Sequence, residues 1–206
     1  MSREAEEIER QSFEIIEGKL NLPYPEKEVV ARVVHATADF SFAELFVFKD
    51  DPVHRGVEAV LGGRNIITDV NMVKAGISPK AGKYGCKLKC FVAEERTRAL
   101  AEKEGITRAR AACRLNKAEL DGSIVVVGNS PTALLELAEL VKNGLDPALV
   151  VAAPVGFVKA KESKEEILKL PVPSIAVRGE KGGTPVAVAI VNALIKLAEE
   201  DERQKA

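Results

Sequence analysis

Tryptophan is missing from this chain of 206 residues, and aromatic residues of all kinds make up only 4% of it. So few flat rings argue against a stacking platform for single-stranded nucleic acid. Neither sign of charge dominates: 30 basic residues stand against 31 acidic ones, for a net charge of −1. No global field draws in nucleic acid or an anionic membrane, so any anionic ligand must be held by local groups. Cysteine is scarce and odd in number, and no basic leader followed by an apolar core opens the chain, which reads as a protein of the reducing cytoplasm. The longest apolar stretches, such as Pro185 to Leu197, fall short of the ~20 residues that a membrane-spanning helix needs. Asn192 and Lys196 interrupt that stretch as well.

What remains is the composition of a soluble globular protein, 46% apolar and 30% charged, long enough to bury one sizeable core. Its second half runs three times from a short apolar strand through a small-residue loop into a helix. The first unit is Ser123 to Val127, then Gly128-Asn129-Ser130-Pro131-Thr132, where Ser130 suits an N-cap and Pro131 the first helical position. The second is Leu149 to Ala153, then Pro154-Val155-Gly156-Phe157-Val158, with a capping-box pattern at Ser163 to Glu166. The third is Ser174 to Val177, then the loop Arg178 to Thr184 with Gly179, Gly182 and Gly183, then a helix from about Pro185 to Leu197. Right-handed crossovers in one parallel sheet bring all three loops to one edge, where open sheets of this kind bind ligands.

Upstream, helices are expected at Arg3 to Glu17, Pro25 to Ala36, Asp39 to Phe48, and from Asp51-Pro52 to Gly62-Gly63. Strands follow at Asn65 to Asp69 and Cys86 to Phe91, and further helices at Glu94 to Glu104 and Thr107 to Leu120. The expected fold is α/β: a three-layer α/β/α sandwich on a mainly parallel five-stranded sheet, preceded by a helical segment packed over one end. It forms one domain over residues 1–206, with a mainly helical segment at 1–62, an α/β core at 63–198 and a solvated tail at 199–206.

Few residues here suit chemistry. Of two histidines, His54 falls in a charged surface stretch, whereas His35 ends a helix three residues after Arg32, on the same face. A guanidinium disfavours a neighbouring imidazolium unless an anion sits between them, which would couple the proton to ligand occupancy. The ordinary alternative is a helix-terminal histidine bonded to a carbonyl. Cys86 and Cys90 share a strand face, but nothing completes four metal ligands, so both read as small buried hydrophobes. Cys113 is a nucleophile only if the fold brings a histidine to it. The glycine loop lacks the Lys-Ser/Thr ending of a P-loop, but helix N-termini after Ser130 and Thr184 offer amides to carboxylates. Arg108 and Arg110 open a helix against its dipole, which an anion nearby would explain, and Thr68-Asp69 ends the first strand on the same rim.

Taken in order, Arg10-Gln11-Ser12-Phe13, Arg32-Val33-Val34-His35-Ala36-Thr37, Ile67-Thr68-Asp69-Val70-Asn71-Met72-Val73, Thr107-Arg108, Gly128 to Leu134, Pro154 to Val158, Glu162-Ser163-Lys164 and Val177-Arg178-Gly179 with Gly182-Gly183 resemble the precorrin-8X methylmutase family over nearly the whole chain. The resemblance implies an isomerase that moves a methyl group from C-11 to C-12 of a contracted tetrapyrrole without an organic cofactor. It implies that His35 is the active-site histidine, that Ser12, Arg32 and Arg108 contact substrate, and that the protein is a homodimer with its pocket near the subunit interface. A 1,5-sigmatropic shift needs no nucleophile, redox centre or protein-bound metal, only a proton, which imidazole is suited to lend. The side arms of the macrocycle are carboxylates. Arg32, Arg108 and Arg178 would clamp them, together with loop groups at Thr68, Asn129, Ser130, Thr132, Gly156, Gly182 and Gly183. Val155 and Phe157 would line the pocket. The alternative reading is a non-catalytic carrier of a tetrapyrrole or another anionic ligand on the same rim.

Overall fold

Four runs rich in β-branched residues carry the middle of the sheet. Ile66–Thr68 (β2), Ile124–Val127 (β4), Leu149–Ala152 (β5) and Ser174–Val177 (β6) are buried along their whole length in the computed structural model, which describes residues 2–205. Strands covered on both faces need no polar alternation, and these pair in parallel, Val126 opposite Val151 and Val151 opposite Ile175. A short strand, Leu88–Lys89 (β3), extends the sheet beside β2.

The other edge departs from expectation. Phe46–Lys49 (β1) runs antiparallel to β6, Phe46 opposite Val177 and Lys49 opposite Ser174, giving six strands in the order β1-β6-β5-β4-β2-β3. The stretch from Asp39 to Phe48 is therefore not a helix, and the sheet does not have five strands. Asp39 caps only a short 3-10 turn, Phe40–Glu44. Beyond it the apolar period is two, so the rings of Phe46 and Phe48 stack on one side of the strand with centroids 5.5 Å apart.

Helices cover both faces. Glu26–Thr37 (α2), Pro52–Leu61 (α3), Asn71–Gly76 (α4) and Thr184–Lys205 (α10) pack on one side around Val33, Val53, Val73, Ile190 and Leu194. Glu95–Glu104 (α5), Arg108–Leu115 (α6), Pro131–Lys142 (α8) and Ala160–Leu168 (α9) build the other side, with Leu134, Leu137 and Ile167 at its core. Each fully buried Val, Leu or Ile contributes about 1.5–3 kcal/mol of transfer free energy. The first helix, Arg3–Lys19 (α1), forms an outer layer on α2, where Ile16 meets Val30, Ala31 and Val34. The N-terminal segment thus does more than cover one end: α2 packs along α10 as part of the core layer, and the same segment supplies the edge strand.

Three boundaries also shift. The expected helix from Thr107 to Leu120 breaks at Asn116, whose side-chain amide donates to the Ala112 carbonyl, and resumes as Lys117–Leu120 (α7). Helix α9 begins at Ala160, so Ser163 is no cap; it is buried inside the helix and its hydroxyl donates to the Ala160 carbonyl. The stretch expected as a solvated tail at 199–206 is helical through Lys205, and its Glu199 and Glu202 pair with Lys80 and Lys83. Met1 and Ala206 lie outside the described residues. Among those described, no helix is long and apolar enough to cross a membrane, and no group of three His, Cys, Asp or Glu is placed to hold a metal ion.

Candidate active site

The parallel strands β2, β4, β5 and β6 end at Thr68, Val127, Ala152 and Val177, so the loops that follow them share one rim. The first of these loops is built around Asp69. Its buried carboxylate accepts hydrogen bonds from the backbone N–H groups of Gly128 (3.1 Å), Asn129 (2.8 Å) and Ser130 (2.7 Å). Burial pushes this carboxyl above its ordinary range, and the three amides pull against that shift. The three loop amides that precede α8 are therefore taken by Asp69.

Hydroxyl groups around that loop are also tied to the chain. Thr68 is buried and donates to the Val70 carbonyl at 3.1 Å. Ser130 caps α8 by accepting from the Ala133 N–H, and its hydroxyl bonds with that of Thr132, which bonds in turn with Thr107 at 2.6 Å. Asn129 and Arg108 stay exposed to solvent at this end of the rim. Arg110, the unexplained second cation of α6, is structural: with Arg114 it grips the buried Glu136 of α8, whose carboxyl those arginines hold below its ordinary range.

The loops after β5 and β6 interlock. Gly183 N–H donates to the Ala153 carbonyl at 2.7 Å, and Gly156 N–H to the Glu180 carbonyl at 3.0 Å. Gly182 has φ +154°, and a Cβ there would lie 2.4 Å from the Ala153 oxygen, so only glycine fits this crossing. Val155, Phe157 and Val158 project from the rim, Phe157 with 93% of its surface exposed, while Arg178 reaches outward to Glu165 at 3.1 Å.

A second cluster lies where α1 meets α2. The His35 ring stacks on Phe13, with centroids 4.9 Å apart and planes inclined by 19°. The Arg32 guanidinium and the Lys196 ammonium lie over the same Phe13 ring, 5.1 Å and 5.8 Å from its centroid. Arg32 also reaches Glu9 at 3.8 Å, and Ser12 donates its hydroxyl to the Ile8 carbonyl at 2.8 Å. Arg10, Phe13, Arg32 and Lys196, together with the carboxylates Glu6, Glu9 and Glu17, line an open groove of about 310 Å³ on this face, beside the exposed His35. The sequence placed Phe13 only within a matching motif. Its position as the lone ring on α1 was the signal that it had a particular neighbour.

Arg32 and His35 are thus brought together around Phe13, the residue after Ser12, and on the rim Thr107, Thr132 and Ser130 are linked through their hydroxyls. In the single chain the two groups are bridged by Lys181, whose ammonium donates to Asp39 and Ser41 just beyond α2. The cysteines take no part in either. Burial pushes the Cys113 thiol up to about 12, which removes it as a nucleophile, and the buried Cys86 donates to the Val60 carbonyl. His54 is a surface residue between Asp51 and Glu58.

The family model for precorrin-8X methylmutase matches residues 7–197. The cobalt-precorrin-8 methylmutase of Methanocaldococcus jannaschii is 46% identical over 205 residues, covering 98% of this chain and 95% of that protein. A precorrin-8X methylmutase from a Sinorhizobium species is 36% identical, covering 94% and 95% of the two chains. Among solved structures, the precorrin-8x methyl mutase of Thermus thermophilus superposes with a TM-score of 0.86 at 37% identity, over 94% of this chain and 98% of its own. Matched along nearly its whole length by sequence and by fold, the chain belongs to the precorrin-8X methylmutase family.

Proposed function

We propose that the protein is an isomerase of corrin-ring biosynthesis that moves a methyl group from C-11 to C-12 of precorrin-8X or cobalt-precorrin-8, with His35 as general acid. The observation that carries the reading is the match to methylmutases over residues 7–197. The shift is internal to the substrate: one carbon–carbon bond breaks at C-11, one forms at C-12, and nothing is oxidised or reduced. A proton lent to the conjugated system makes it electron-poor enough to rearrange, and the same proton is returned afterwards. His35 suits that loan because its ring is open to solvent and ligand on one side and held by Phe13 on the other. Arg32 beside it, and Arg108 and Arg178 on the rim, are cations suited to the carboxylate arms.

The protein works as a cytoplasmic homodimer in this reading. In support, α1 leaves Ile8 and Ile15, two turns apart on one face, 59% and 60% exposed, an apolar face that a second subunit would cover. Sedimentation measurements test the dimer. Incubating the purified protein with precorrin-8X and with cobalt-precorrin-8, and following visible absorption, tests the reaction. His35→Ala should bind the tetrapyrrole without converting it. Full turnover by that variant would remove His35 from the mechanism, and binding without conversion by the unaltered protein would make it a carrier instead.

A further inference from the structure

Lysine is among the residues least often buried, yet Lys164 on α9 has no exposed surface. No carboxylate lies within ion-pair distance of it among the described residues. Its ammonium instead donates to the carbonyls of Gly179 at 2.9 Å and Lys181 at 2.7 Å. A charge in such a place persists only when its protons are hydrogen-bonded, and both acceptors here belong to the glycine loop after β6. Lys181, held by its carbonyl from one side, extends its own side chain to the other. Its ammonium donates to Asp39 and to the Ser41 hydroxyl, both at 2.6 Å, and lies 5.4 Å from the centre of the Phe42 ring. Asp39, Ser41 and Phe42 form the turn that directly follows α2, the helix bearing His35.

We propose that Lys164 and Lys181 form a two-lysine clamp that sets the glycine loop against the end of the His35 helix, making Lys181 a positioning residue for the methyl shift. The inference rests on the reading of His35 as the acid and of the rim as the grip for substrate. An exposed ion pair such as Lys181 with Asp39 contributes little to stability by itself, so its importance lies in register. With the loop fixed from beneath by Lys164 and from the side by Asp39, the part that grips the substrate and the part that carries the proton move as one body. A displacement of about 1 Å between reacting groups is enough to cost on the order of a hundredfold in rate.

The test uses the full chain and the variants Lys181→Met, Asp39→Asn, the double variant and Lys181→Arg, each assayed for kcat and KM with cobalt-precorrin-8 and for thermal midpoint. Each single neutralising change should lower kcat/KM by about tenfold to a hundredfold while the midpoint moves by no more than about 4 °C. The double variant should be no worse than the more damaged single one, because the two residues act as a unit, and Lys181→Arg should recover most of the activity. Unchanged kcat/KM, losses that simply multiply in the double variant, or losses that track the midpoint would each overturn the clamp. Lys164→Met should show the same loss; if that variant does not fold, the exposed Lys181–Asp39 pair still decides the matter. His35→Ala separates the two ideas: full activity there refutes the acid, while non-additive effects of positions 39 and 181 on KM still report the clamp.

Discussion

The imidazole of His35 lies face to face with the ring of Phe13, 4.9 Å between centroids, so a side chain of α1 fixes the plane in which the α2 histidine presents its nitrogens. Stacked pairs of this kind contribute about 0.5–1.5 kcal/mol beyond the area they bury. Phe13→Leu keeps the apolar volume and removes the stack. Its kcat should fall by about two- to tenfold, with little change in thermal midpoint, and Phe13→Tyr should retain activity. A Leu variant as fast as the parent would show that the stack has no part in orienting His35.

Gly182 crosses the Ala153 carbonyl at a distance that leaves no room for a Cβ, and its φ of +154° is one that other residues rarely adopt. Gly182→Ala must push the two rim loops apart. We expect a loss of about 1–3 kcal/mol in urea unfolding and a rise in KM, since the loops that would hold substrate arms lose their register. Gly85→Ala serves as a comparison: φ there is also positive but nothing lies within 4 Å of its Cβ, so steric displacement is absent.

Glu136 joins α8 to α6 through Arg110 and Arg114, at 2.7 and 2.8 Å. The carboxylate is 7% exposed and the guanidinium groups 39% and 37%, so water reaches the arginines when their partner is lost. Glu136→Gln should therefore lower stability by about 1–3 kcal/mol, less than the loss of a fully buried pair, and leave KM unchanged. A large change in KM would assign Arg110 to the substrate after all.

Burial pushes the Lys164 ammonium down to about 8 from its ordinary 10.5. Between those two values the unfolded chain binds more protons at this position than the folded one, so stability contributed here rises with pH across that window and is flat below it. Urea unfolding of the parent across the window should show that rise, and Lys164→Met should lack it. A parent curve parallel to that of the variant would place the ammonium's titration elsewhere.

The parallel core was legible because strands buried on both faces must be apolar throughout, and Ile124 to Val127, Leu149 to Ala152 and Ser174 to Val177 have few other ways to fold. The edge strand was not. Phe46, Val47 and Phe48 are half-buried, and four residues are too few for a period of two to stand out against a period of 3.6. Ser163 looked like a cap because a capping box is a purely local pattern, whereas Lys159 in the left-handed region had already started the helix. At the site, the grouping of Arg32 with His35 followed from helical spacing, but the occupant of the Gly128–Ser130 amides did not. Asp69 lies 59 to 61 positions away, and a contact across two strands leaves no trace in local spacing. Lys164 was part of a motif without a role, since burial of a lysine is a property of the assembled loops.

The antiparallel course of β1 has a consequence for how the protein comes into being. Lys181 and Asp39 are separated by 142 positions, and β1 pairs with β6, the last strand among the described residues to leave the ribosome. Contacts between such distant parts of a chain form late, after the loss of freedom on closing the long intervening segment has been met. The histidine's helix is thus synthesised early but waits for the final third of the polypeptide before it faces anything that grips a ligand. Chains stalled or clipped before residue 174 should accumulate as inert precursors, so a cell translating this message gains no partial activity from them.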